Sequence, residues 1–184
     1  MEHFYKDIYG FSGVDLFALY KKMVDRFDSG SHFVEVGAFL GRSAVFMAVE
    51  IINSGKNIKF DCVDHWEGSE EHNDNDEINL ETLYEDFVGN IKPVKGAINP
   101  VKAHSVEASK LYKPNSLDFV FIDASHDEES VKEDLFHWLP RVKESGVIAG
   151  DDVNNENVAN AVKWFFNDES LEIIGRQWMV DLGR

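Results

Sequence analysis

Four stretches of this chain end in carboxylates placed where they could do chemistry. In Phe33-Val34-Glu35-Val36-Gly37-Ala38-Phe39-Leu40-Gly41-Arg42-Ser43, an acid and two glycines stand where a strand is expected to turn into a helix. Glycine permits a tight turn and close approach of backbone to ligand, and the exposed amides of the helix that follows favour an anionic group. Asp64 ends the apolar run Ile58–Val63, Asp123 ends Leu117–Ile122 with His126 three residues later, and Asp151-Asp152 end Val147–Gly150.

Each acid suggests a ligand group. A dinucleotide pyrophosphate would be repelled by Glu35, whereas S-adenosylmethionine would offer it an ammonium and a sulfonium while its own carboxylate meets the helix amides. Asp64 suits the two hydroxyl protons of a ribose, because a carboxylate at the end of a second strand faces the nucleoside in this topology. Asp123, Asp151 and Asp152 would repel one another unless protons or a cation neutralise them. An all-oxygen set suits a hard divalent ion, magnesium before calcium, with positions left for water or a substrate oxygen. The alternative is that Asp151 and Asp152 only begin a loop while Asp127 or Ser125 caps the helix near Glu128.

Holding these groups together requires a parallel sheet. Strands are expected at His32–Val36, Ile58–Val63, Asn99–Ala103, Leu117–Ile122, Val147–Gly150, Glu172–Ile174 and Trp178–Leu182, alternating with amphipathic stretches such as Val131, Leu135, Trp138 and Leu139. Only Gly175-Arg176-Gln177 separates the last two strands, too little for a crossover helix, so they must pair antiparallel. The predicted fold is α/β: a doubly wound, Rossmann-like seven-stranded sheet of five parallel strands plus a C-terminal antiparallel hairpin, with helices on both faces. One domain over residues 1–184 is expected, with residues 1–30 as a helical cover that includes a helix from Val14 to Phe27.

The stretch Trp66–Ile78 breaks the alternation with six acids and would overhang the ligand edge as a mobile lid or a solvated loop. It is not a calcium loop. Asp74, Asp76 and Glu85 have the spacing, but Ile78 and Asn79 stand where an oxygen ligand and a glycine are needed.

Composition narrows the partners. A net charge of −16 with scattered lysines and arginines disfavours nucleic acid, so a small-molecule acceptor is expected. No run approaches the roughly 18 apolar residues of a membrane span, and no export leader is legible, so a cytoplasmic protein without membrane association is expected. Cys62 reads as a small buried thiol, and His3, His32, His72 and His137 as structural or solvated. The oligomeric state is open, a homodimer included.

On these motifs the chain resembles the class I S-adenosylmethionine-dependent methyltransferases from His32 onward. The pattern E-V-G-x-x-x-G-x-S, with Phe39 in place of the middle glycine of the commonest turn, is similar to the metal-dependent small-molecule subset that includes macrocin-type sugar O-methyltransferases. The resemblance implies that Glu35, Gly37, Ala38, Gly41 and Ser43 hold the methionine end and Asp64 the ribose. It puts His65 and the pair His104-Ser105 beside the adenine, although Ser105 serves equally as the N-cap of the next helix. It also implies an acid after the fourth strand and an acid pair after the fifth, so Asp123, Asp151 and Asp152 become metal ligands, with Asp123 touching the cofactor as well. His126 matches a histidine read as the base that deprotonates the acceptor hydroxyl, with Asp123 beside it.

The expected activity is transfer of a methyl group from S-adenosylmethionine to a hydroxyl of a sugar or phenolic compound, assisted by magnesium or another divalent cation. The alternatives are a non-catalytic S-adenosylmethionine-binding partner protein, a metal-free N-methyltransferase and a nucleotide-dependent oxidoreductase.

Overall fold

A computed structural model of the chain describes residues 1–68 and 78–184. The lid expectation and His72 fall largely or wholly outside those residues.

Strands β1 (His32–Val36), β2 (Lys59–Asp64), β3 (Asn99–Lys102), β4 (Leu117–Ile122), β5 (Val142–Gly150), β6 (Leu171–Ile174) and β7 (Gln177–Asp181) form one sheet ordered β3-β2-β1-β4-β5-β7-β6. The first five are parallel; β7 runs antiparallel to both β5 and β6. The expected topology is therefore the observed one. It places the C-terminal ends of β1, β2, β4 and β5, with Asp64, Asp123, Asp151 and Asp152, along one edge.

Period-two alternation sorts the strand residues between two cores. Phe33, Phe119 and Phe121 face α1 (Val14–Arg26) and α2 (Arg42–Ser54), with α3 (Leu83–Ile91) completing that layer. Val34, Val36, Val120 and Ile122 face the other way, onto α5 (Glu128–Trp138) and α6 (Glu156–Phe165). Burying each such side chain contributes about 1.5–3 kcal/mol, so both faces specify the register. The short α4 (Ser105–Ser109) carries the chain out of β3.

Strand β5 starts earlier than expected, at Val142 in place of Val147. The polar Lys143-Glu144-Ser145-Gly146 segment runs through a register irregularity: Leu117 pairs with Val142 and Phe119 with Val147. An ion pair from Lys143 to Asp118, at 2.8 Å, holds the irregular part to β4. Among the described residues no helix is long and apolar enough to cross a membrane.

Candidate functional site

Over the C-terminal edge opens a cleft of about 1080 Å³, mouth included. Of the residues singled out from sequence, Gly37, Ala38, Ser43, Asp64, His65, Ser105, Asp123, Asp151 and Asp152 line it. Asp123 and Asp151 also line an adjoining small recess together with His126. Glu35, Gly41 and His104 stand behind or beside the cleft wall.

The first turn is shaped by contact between strand ends. Gly37 has φ +94°, and a Cβ there would lie 1.9 Å from the carbonyl oxygen of Asp123. The two strands come this close because Asp123 N–H donates to the Val36 carbonyl at 2.8 Å, while Gly37 N–H donates to Val63 at 2.9 Å. Gly41, at φ +86°, caps α2, where a Cβ would press on the Phe87 ring at 3.0 Å.

Glu35 lies deeper than the strand end suggests. Strand alternation turns it onto the α1–α2 face, beneath the turn, where it is 1% exposed and accepts a hydrogen bond from Ser43 Oγ at 2.5 Å. Burial pushes its carboxyl up to about 8, with Asp123 adding to the rise and the Ser43 and Tyr20 hydroxyls pulling it back. Without ligand it is mostly protonated at neutral pH, so it supports Ser43 and does not offer a bare charge to the cleft.

A stability effect follows from this. The folded state keeps a proton that the unfolded chain, with an ordinary carboxyl near 4.5, has lost. Stability from this group is therefore full below pH 4.5 and falls as pH rises towards 8. Glu35→Gln removes the effect, and urea unfolding at pH 5 and pH 8 should show the wild type losing on the order of 3 kcal/mol relative to the variant. Parallel pH profiles of the two proteins would disprove the assignment.

In the second turn, Asp64 Oδ2 accepts from Phe39 N–H at 2.8 Å and Oδ1 from Trp66 N–H at 2.7 Å, so the carboxylate joins the two cleft-lining turns. His65 and His104 lie together at the rim, ring centroids 4.8 Å apart. The Ser105 hydroxyl is held from the α5 side of the cleft wall. It donates to buried Asp134 and accepts from Trp138 Nε1, and no side-chain cap forms at the start of α4.

At the far end of the cleft, His126 Nε2 lies 2.9 Å from Asp152 Oδ2 and 3.9 Å from Asp123 Oδ1. One ligand atom from each of Asp123, His126 and Asp152 falls within 4.8 Å of the others, a spacing compatible with one metal ion. Asp151 is turned differently: its Oδ1 accepts from Asp152 N–H at 2.7 Å and from Gln177 Nε2 at 3.0 Å. The three acids gather as expected, but the chain supplies its own counter-charges. Arg176, in the β6–β7 turn, donates to Asp152 Oδ1 at 2.5 Å and sits 3.6 Å from Asp151. Burial raises Asp123 to about 6, with Asp151 and Asp152 adding to the shift, and raises Asp151 too. Hydrogen bonding to His126, with help from Arg176, holds Asp152 below the usual range.

A family described as a methyltransferase domain matches residues 34–153, which run from β1 past the acid pair of β5. The chain belongs to that family. The fold of this methyltransferase domain is shared by solved structures of low identity. One is the O-methyltransferase NovP, 15% identical with TM-score 0.67, covering 94% of this chain and 81% of its own. Another is the O-methyltransferase TomG of Streptomyces achromogenes, solved with S-adenosylmethionine, 13% identical with TM-score 0.66 and coverages of 95% and 82%. A Corynebacterium glutamicum protein, 10% identical with TM-score 0.65, covers 97% and 85%. The fold is thus that of the class I S-adenosylmethionine-dependent methyltransferases.

Two residues of the methyltransferase site escape a reading of the sequence. Trp66 is buried at the start of a stretch that looks like an acidic loop, and its Nε1 donates to Phe39 O at 2.8 Å. Arg176 lies in a hairpin turn with no local motif. The segment Gly10-Phe11-Ser12, ahead of α1, also lines the cleft, so the N-terminal cover supplies part of its wall.

Proposed function

We propose that this methyltransferase domain transfers a methyl group from S-adenosylmethionine to a hydroxyl of a small molecule, a sugar or a phenol, with assistance from a divalent cation. The observation that carries this reading is the acid and imidazole cluster of Asp123, His126 and Asp152 at the end of the cofactor cleft. The turn of Gly37, Ala38, Gly41 and Ser43, backed by Glu35, would take the methionine end. Asp64 and His65 would take the ribose and adenine, with His104 and Ser105 framing that end.

Methyl transfer is a displacement at the sulfonium carbon, so the chain must align the acceptor oxygen and remove its proton. His126 accepts that proton; Asp152, at 2.9 Å, orients the imidazole and stabilises it when charged. Asp123 and Asp152 would provide oxygen donors for a hard cation, with Asp151 joining them only if it turned from Gln177, and the cation when bound would lower the pKa of the acceptor hydroxyl. The donor chemistry fits, provided Arg176 yields its hold on Asp152.

That ion pair also favours a second, metal-free reading, in which Arg176 remains as the site's cation. Two measurements decide. Calorimetry should detect S-adenosylmethionine and S-adenosylhomocysteine, and binding of neither refutes the reading as a whole. Turnover over a panel of sugars and phenols should fall with chelator and return with magnesium; turnover indifferent to chelator supports the metal-free form.

A further inference from the structure

We infer that Trp66 is a positioning residue of the first turn, doing through a hydrogen bond what the absent middle glycine would do by its freedom of conformation. The inference rests on the proposal that this turn binds the cofactor.

Phe39 has φ +46° and Trp66 has φ +52°, both left-handed, where a side chain bearing Cβ is disfavoured. Such a conformation persists only where its surroundings over-determine it. Phe39 is held from both sides: its N–H donates to Asp64 Oδ2, and its carbonyl accepts from Trp66 Nε1, each at 2.8 Å. Trp66 is itself fixed by its own N–H on Asp64 Oδ1 and by α3, whose Tyr84 and Phe87 rings lie 5.0 and 4.6 Å from its indole. Phe87 also backs Gly41, the other end of the same turn. One helix thus braces both ends of the turn, through Gly41 directly and through Trp66 to Phe39.

The arrangement gives something that a glycine could not. Held left-handed, Phe39 places its ring 6.5 Å from Phe11 and 6.4 Å from Tyr9. Phe39 and Phe11 both line the cleft, so the brace also sets the wall where the N-terminal segment meets the turn.

The test is a double-mutant cycle on the full chain. Trp66→Phe keeps an aromatic ring and deletes the N–H donor. Phe39→Gly frees the turn from its need for that donor. Trp66→Phe alone should weaken S-adenosylhomocysteine binding about tenfold by calorimetry, in line with the loss of one buried hydrogen bond. In the Phe39→Gly background the same change should cost less than about twofold. An unchanged affinity for Trp66→Phe, or an equal loss in both backgrounds, overturns the inference.

Should Trp66→Phe alone lose its cooperative melt, recovery of that melt by adding Phe39→Gly supports the brace, and a double variant that also fails to fold overturns it. Should the wild type bind no S-adenosylhomocysteine, the cofactor reading falls, and the cycle is read from urea midpoints. A smaller midpoint shift in the Phe39→Gly background then supports the brace, and equal shifts overturn it.

Discussion

Gly37→Ala is expected to lower affinity for S-adenosylhomocysteine at least a hundredfold, or to prevent folding of the β1–α2 turn altogether. The new methyl group would sit 1.9 Å from the Asp123 carbonyl oxygen and 2.9 Å from Ala124 Cα, both backbone atoms that no rotamer change can move. Position 37 also sits at φ +94°, where alanine is strained whatever the space. Relief would require separating the ends of β1 and β4, which breaks the Asp123-to-Val36 hydrogen bond and moves the turn and the acid cluster together. Gly89→Ala is the matched control. Gly89 lies within α3, and a Cβ there meets nothing within 4 Å. It should leave binding unchanged and stabilise the fold by about 0.5–1 kcal/mol. Wild-type affinity in Gly37→Ala would remove this turn from the cofactor site.

His126→Ala should reduce methyl transfer by roughly 10²–10⁴-fold while S-adenosylhomocysteine affinity stays within twofold. The imidazole lies in the recess beyond the main cleft, in contact with Asp152 and near Asp123, and lines none of the turn that would hold the cofactor. Loss confined to turnover is the signature of an interaction made in the transition state and not in the cofactor complex. Asp152→Asn should fall in the same direction by a smaller factor, since an amide still holds the ring but stabilises its charged form less. Turnover within twofold of wild type in His126→Ala would rule out its role as base. Equal losses of turnover and cofactor affinity would show that it acts through the fold.

The sheet is legible in the sequence because each strand carries its own signal. β-Branched and aromatic residues alternate, turn residues punctuate, and a three-residue gap between the last two strands leaves no room for a crossover. The acids at the strand ends are legible for a related reason: topology alone gathers the C-terminal ends of β1, β2, β4 and β5. Contacts across space are not legible. Glu35 sits one residue before the edge, and whether that places it in the cleft or under it depends on which face the alternation assigns. The Ser105 hydroxyl is claimed by Asp134 and Trp138 from a helix some thirty positions later, a pairing with no sequence signature. Trp66 is hidden by its acidic neighbours, although a lone tryptophan beside a strand-ending aspartate is a signal that could have been followed. Arg176 has none.

Arg176 belongs to the hairpin at the edge of the sheet, and this makes β6 and β7 an electrical part of the acid cluster. Fraying β7 from β5 would carry a guanidinium away from Asp151 and Asp152. The cluster of Asp123, Asp151 and Asp152 would lose its guanidinium counter-charge and become more anionic without any change in those acids. Tags, truncations or partners that loosen this terminus should therefore be felt first as altered selectivity between neutral and anionic acceptors, before any loss of the fold.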